Sequence, residues 1–187
     1  MKKVVVSFLG QDGPGVVCAV ASLLTELDCN ILELSQTILH SEFAAIVIAE
    51  MDDEGTVEAL QKDLEKGLVD KNVDLNVIVR MYDGNCWNAE NPEPFVVSVD
   101  GPDQKGLVAA IAGILGKYNV NISNMKAIIP PEEEHGRALL VYEVTVPASV
   151  ELAALRSTLE AKAEELSLRI SLQHRDIFEA VHRVMPV

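Results

Sequence analysis

One short stretch holds the residue types that could grip a small ligand: Gly10-Gln11-Asp12-Gly13-Pro14-Gly15. The apolar run Val4 to Leu9 before it reads as a strand, and the spacing of Val16, Val20, Leu23, Leu24 and Leu27 after it reads as a helix. The stretch is therefore a strand-to-helix turn. Free amides at a helix start attract a carboxylate. Gly13 and Gly15 let the backbone come close to a ligand. Pro14 suits the first helical turn, where its missing N–H would have no partner. Asp12 can accept hydrogen bonds from an ammonium, and Asn30, beyond the helix, can both donate and accept. A carboxylate and an ammonium a bond or two apart describe a free α-amino acid. The same residues also suit a bare turn with Asp12 as the helix cap, and residue types alone leave both readings open.

The stretch occurs twice. With an offset of 91, Ser7, Gly10, Asp12, Gly15, Val17, Ala19, Ala21, Leu24, Asn30 and Ile31 fall on identical residues, without a gap, from Ser98 to Ile122. An internal repeat sets the folding unit, and this one divides the 187 residues into two small domains. In the first half, Ile31 to Leu39 and Phe43 to Met51 read as strands around a turn at His40. Val57, Leu60 and Leu64 mark a second helix, and Val73 to Met81 alternates as a strand. The second half follows the same order. Phe95 to Val99 is its first strand, and Leu107 to Tyr118 its first helix. Asn121 to Ile129 and Ala138 to Val146 flank a turn at Pro130 to Gly136. A helix then carries Leu152, Leu155, Leu159 and Leu166, with Ser149 as its expected N-cap, and a strand runs from Leu168 to Leu172.

Each half is β-α-β-β-α-β. Two crossovers joined by a hairpin give a four-stranded antiparallel sheet with both helices on one face. The fold class is α+β, with two ferredoxin-like domains at 1–82 and 95–175. A Gly-, Asn- and Pro-rich linker at 83–94 joins them, and the tail at 176–187 is left open. Trp87 reads as an anchor tying that linker to a domain, and Cys18 and Cys29 read as packing residues.

Charge and composition exclude several classes. The chain carries 15 Lys and Arg against 29 Asp and Glu, a formal charge of −14, with no basic stripe. That argues against direct binding to nucleic acid or to an anionic membrane. Three cysteines without CxxC spacing suit reduced thiols in the cytoplasm. No apolar stretch approaches the roughly 20 residues of a membrane span. His40, His135, His174 and His182 lack ligand spacing, so no metal is expected, and nothing arranges a nucleophile with a base. No GxGxxG or GK[ST] motif occurs, so no nucleotide cofactor is expected. Glu132 to Glu134 reads as an exposed turn.

Asp12-Gly13-Pro14-Gly15-Val16-Val17, followed by Cys29-Asn30-Ile31, resembles the signature of ACT domains. Two in tandem, with Glu42-Phe43 opening the third strand, resemble the glycine cleavage system transcriptional repressor group. The resemblance implies a regulatory protein without catalysis. It would bind an amino-acid effector, glycine or serine first, and act on another regulatory protein. Carried over by position, the ligand residues are Asp12, Gly13, Pro14, Gly15 and Asn30, with Asp103, Gly106 and Asn121 in the second repeat. Gln104 and Lys105 replace Gly13 and Pro14 there, so the first loop is the better site. The alternative is a scaffold that pairs through sheet edges and binds no ligand; either way a homo-oligomer is expected. An acylphosphatase-like enzyme is less favoured, because the loop holds no Arg for a phosphate.

Overall fold

In the computed structural model, residues 1–128 and 136–182 are described, with side chains as far as 180. Ile129, residues 130–135, where a turn with Glu132 to Glu134 and His135 is expected from the sequence, and the last five residues lie outside them. The chain divides into two compact units, Met1–Asn85 and Cys86–Val187.

The first unit comprises β1 (Lys2–Gln11), α1 (Val16–Glu26), β2 (Asn30–Leu39), β3 (Glu42–Met51), α2 (Val57–Asp70) and β4 (Leu75–Met81). The second repeats this with β5 (Glu93–Pro102), α3 (Leu107–Lys117), β6 (Asn121–Ile128), β7 (Arg137–Val146), α4 (Leu152–Glu165) and β8 (Arg169–His174). It then adds α5 (Arg175–His182). The strand orders are β2-β3-β1-β4 and β6-β7-β5-β8, and every pairing is antiparallel. The first strand of each unit is thus central, flanked by the third and fourth.

Strand alternation puts Val4, Val6 and Phe8 of β1 under the helices with Val47 and Ala49 of β3 and Val77 and Val79 of β4. Val20, Leu23 and Leu24 of α1 and Leu60, Leu64 and Leu68 of α2 close that core from above. The second unit has its own core around Val97, Val99, Ile111, Leu115, Tyr142 and Leu155. Each large apolar side chain fully buried in this way contributes about 1.5–3 kcal/mol. Two separate cores of this kind are what the repeat requires.

The helices α1 to α4 stop by one device. Asp28, Asn72, Asn119 and Ser167 adopt left-handed backbone, with φ of 54, 54, 54 and 57°. The next residue's amide then reaches back to the helix, as Cys29 does to the Leu24 carbonyl at 2.8 Å and Leu168 to Ala163 at 2.8 Å. Helix α5 starts where the His174 ring nitrogen Nδ1 accepts the Asp176 amide at 3.3 Å, a side-chain cap that the tail's pattern did not advertise.

Three expectations need correction. Ser149 is not a cap: the chain turns there, with Val150 N–H on the Pro147 carbonyl, and α4 begins after Glu151. Trp87 belongs to neither core and keeps 40% of its surface exposed. Cys29 is buried as a packing residue, but Cys18 faces outward. Among the described residues, no helix is long and apolar enough to cross a membrane.

Candidate functional site

The turn before α1 is built from both of its glycines and Pro14. Gly15 has φ 92° and ψ −5°, and the Val16 amide donates to the Gly13 carbonyl at 3.3 Å. Those values match the third residue of a type II turn, with Pro14 in the second position that proline favours. Pro14 therefore precedes the helix rather than entering its first turn, because the left-handed residue must stand between them. Gly106 repeats this geometry at φ 86° and ψ 1°, with Leu107 N–H on the Gln104 carbonyl at 3.4 Å.

The loop is pinned from two sides. Asp12 N–H donates to the Ser41 carbonyl at 2.7 Å, and Gln11 N–H to the Asp74 carbonyl at 3.2 Å. The Asp12 side chain does not cap α1, which leaves its carboxylate available. Among the described residues, the amides of Gly13, Gly15, Val17 and Cys18 find no acceptor in the chain. Four donors at one helix entry form an electropositive end.

Beside the loop lies an open groove of about 710 Å³. One wall is Gln11 to Val16 with Ala19; the other is Val69 and Lys71 to Asp74, where α2 ends and β4 begins. The second wall was missed in the sequence. Its signal was the strand order: β4 pairs beside β1, with Leu75 opposite Gly10, and this returns residues 71–74 to the loop. The groove thus offers two carboxylates, from Asp12 and Asp74, and the Asn72 amide group. The Lys71 ammonium belongs to the same lining and donates to Glu26 at 2.8 Å.

The glycines of the loop differ in what the fold demands of them. A Cβ on Gly10 would sit 2.2 Å from the Asp74 carbonyl oxygen, so the close approach of β4 requires glycine. Gly15 needs its positive φ. Gly13 needs neither: its φ lies outside the left-handed range, and a Cβ there would meet nothing within 4 Å.

Asn30 is not beside the loop. It pairs with Glu50, which pairs with Lys3, whereas the loop follows Gln11 at the other end of β1. Eight residues of strand separate the two places by about 26 Å. One amino acid cannot touch both within a unit. Asn121, opposite Thr145, stands at the corresponding far end of the second sheet.

The second loop is arranged differently. Asp103 N–H donates to the Gly136 carbonyl, as Asp12 does to Ser41. Gln104, at the place of Gly13, sends its side-chain amide across to the Leu166 carbonyl at 3.0 Å. Leu166 ends α4 as Lys71 ends α2. Gln104 thereby bridges the gap that stays open in the first unit.

Comparison with known proteins agrees with this architecture. The ACT domain model matches residues 2–79 and 93–173. A UPF0237 protein of Methanocaldococcus jannaschii is 36% identical over 89 residues, 48% of this chain and 96% of the relative. The glycine cleavage system transcriptional repressor of Escherichia coli is 25% identical over 171 residues, covering 90% of this chain and 87% of the repressor. A solved structure of an unknown protein from Galdieria sulphuraria shares the fold, with a TM-score of 0.74 at 23% identity over 92% of this chain and 98% of that one. With two repeats, two matches and the same strand order in both sheets, the chain belongs to the ACT domain family and carries the domain twice.

Proposed function

We propose that the chain is a regulatory protein without catalysis that senses a free amino acid in the groove beside Asp12 to Gly15. The observation that carries this reading is the combination at Gly13: unpartnered amides, open space where a side chain would be, and carboxylates of Asp12 and Asp74 on the same groove. The effector's carboxylate takes the amides of Gly13 and Gly15, and its ammonium takes Asp12. Pro14 holds the turn in shape. Asn30 does not touch this ligand within its own unit. In the second repeat, Asp103 and Gly106 keep the turn, but Gln104 closes the cleft, so the first unit is the sensor.

Glycine, after the glycine cleavage system of the Escherichia coli relative, and the similarly small serine are the first effectors to try. The formal charge of −14 sets the chain apart from DNA-binding proteins, so an effect on transcription passes through a partner protein. Regulation follows where the effector binds one state of the protein better than another.

Thermal unfolding with each of the twenty amino acids tests the reading. Ligand at about 100 times its dissociation constant stabilises by about 2.7 kcal/mol. For a unit of this size that is a rise of roughly 10–20 °C in Tm. No rise with any amino acid would favour a scaffold without ligand.

A further inference from the structure

The last strand of each sheet, β4 or β8, is an edge strand, and the helix beside it treats that edge differently in the two units. In the first unit, Gln61 of α2 accepts the Val79 amide at 3.1 Å. The flank of α2 beyond it carries Lys62, Glu65, Lys66 and Val69. In the second unit the matching positions of α4 hold Arg156, then Ser157, Glu160, Ala161 and Glu164. A cleft of about 500 Å³ lies there, between these four residues and Leu168 and Ile170 of the strand side. Arg156 marks its end by donating to the Leu172 carbonyl at 2.8 Å.

That bond shows which way the polar groups of β8 point. Along an antiparallel strand, residues bonded to one neighbour alternate with residues turned the other way. Leu172 turns its carbonyl outward, so Ile170 turns its amide and its carbonyl outward too. Among the described residues, neither group of Ile170 has a partner. An unpaired edge of this kind is a template for one more strand.

We propose that an extended, cationic segment of another protein adds antiparallel to β8, as a fifth strand of the second sheet, with Lys or Arg at alternate positions. Geometry and charge set that pattern. A segment residue opposite Ile170 points the way Ile170 does, toward the helical side. The residue opposite Leu168 does the same, about 6.8 Å away. On α4, Glu160 and Glu164 are one turn apart, about 6 Å along the helix. Each of these carboxylates thus meets one cation. Both are exposed and, among the described residues, without an ion pair; the one Lys of α4, Lys162, donates to Glu165 at 2.7 Å. Ala161 between them leaves room for the stems of the incoming side chains. No two Lys or Arg of this chain stand at alternate positions, so the segment belongs to a different protein.

NMR titration of the full chain with two end-blocked peptides, Val-Lys-Thr-Lys-Val and Val-Glu-Thr-Glu-Val, tests this. No amino-acid effector is present, so the sensing reading stands or falls separately. The lysine peptide is expected to shift the amide resonances of β8 and α4 and to slow hydrogen exchange at Ile170; the glutamate peptide should do neither. Glu160→Lys with Glu164→Lys should weaken the lysine peptide about tenfold and admit the glutamate peptide at the same edge. Both positions are exposed, so the Tm should hold. Methylating the backbone nitrogens of both lysines keeps the charge, removes the donor to Ile170, and should abolish binding. No shift in β8 at millimolar peptide, equal binding of the two peptides, or binding that survives either the charge reversal or the methylation would each overturn the proposal.

Discussion

Replacing Gly13 with alanine separates what the fold needs from what a ligand needs. A methyl at Gly13 would meet no protein atom within 4 Å, and the backbone there is not left-handed. The substitution should therefore leave the folded state intact and add about 0.4–1 kcal/mol by restricting the unfolded chain. Against the ligand the effect has the opposite sign. In the proposed binding mode the methyl stands where the effector's carboxylate approaches the amide, and one charge-assisted hydrogen bond is worth about 1.5–3 kcal/mol. That is a loss of roughly 10- to 100-fold in affinity. Urea denaturation reads the first quantity and titration calorimetry with the effector reads the second. Gly15→Ala is the contrast, since its φ of 92° makes a side chain cost about 1–2 kcal/mol of stability. An effector that binds Gly13→Ala as tightly as the wild type would refute the placement of its carboxylate on this turn.

Two further predictions concern the second unit. Among the described residues the buried Tyr142 hydroxyl has no hydrogen-bond partner, and burial pushes its pKa up to about 12. Tyr142→Phe should stabilise the unit by about 1 kcal/mol near neutral pH. A folded pKa raised above the unfolded value of about 10 leaves the wild type's stability intact below pH 10 and erodes it between about 10 and 12. The full loss is about 2.7 kcal/mol, and the phenylalanine variant should lack it; denaturation curves of the two proteins on either side of pH 10 check the difference. Ser167→Gly should raise the unit's Tm by about 4–8 °C, because the left-handed serine at the end of α4 costs about 1 kcal/mol. Asn119→Gly at the end of α3 should gain less, since asparagine tolerates that backbone, and melting the two variants side by side checks the order.

Much of the fold was legible because strands and helices announce themselves by period. Val73 to Met81 alternates, and its odd members Val77 and Val79 are the buried ones. What was not legible depended on longer range. Lys71 to Asp74 reach the loop only because β4 lies beside β1, a pairing set by the whole β-α-β-β-α-β order. A helix joins Asn30 to the loop in sequence, yet its 11 residues carry the chain about 16 Å along the molecule to the opposite end of the sheet. Proline favours a helix's first turn, but a left-handed Gly15 after Pro14 makes a type II bend instead. The cap on α5 comes from the His174 ring, a residue type not usually counted among helix caps.

The duplication also says which glycines matter for what. Gly10 and Gly101 occupy the same place in their sheets, and both are boxed in: an added Cβ would press on the Asp74 carbonyl in one and on the Leu168 side chain, at 2.6 Å, in the other. Gly15 and Gly106 share a positive φ. The fold explains these four in both units, so they carry no information about a ligand. Gly13 is different. Its counterpart is Gln104, and the same turn forms around it with nearly the same dihedrals in the residue that follows Pro14 or Lys105. The backbone thus accepts a long side chain at this position, and that side chain spans the cleft to Leu166. An open cleft in the first unit is therefore not a by-product of making the bend. It exists because a residue that could fill it is absent.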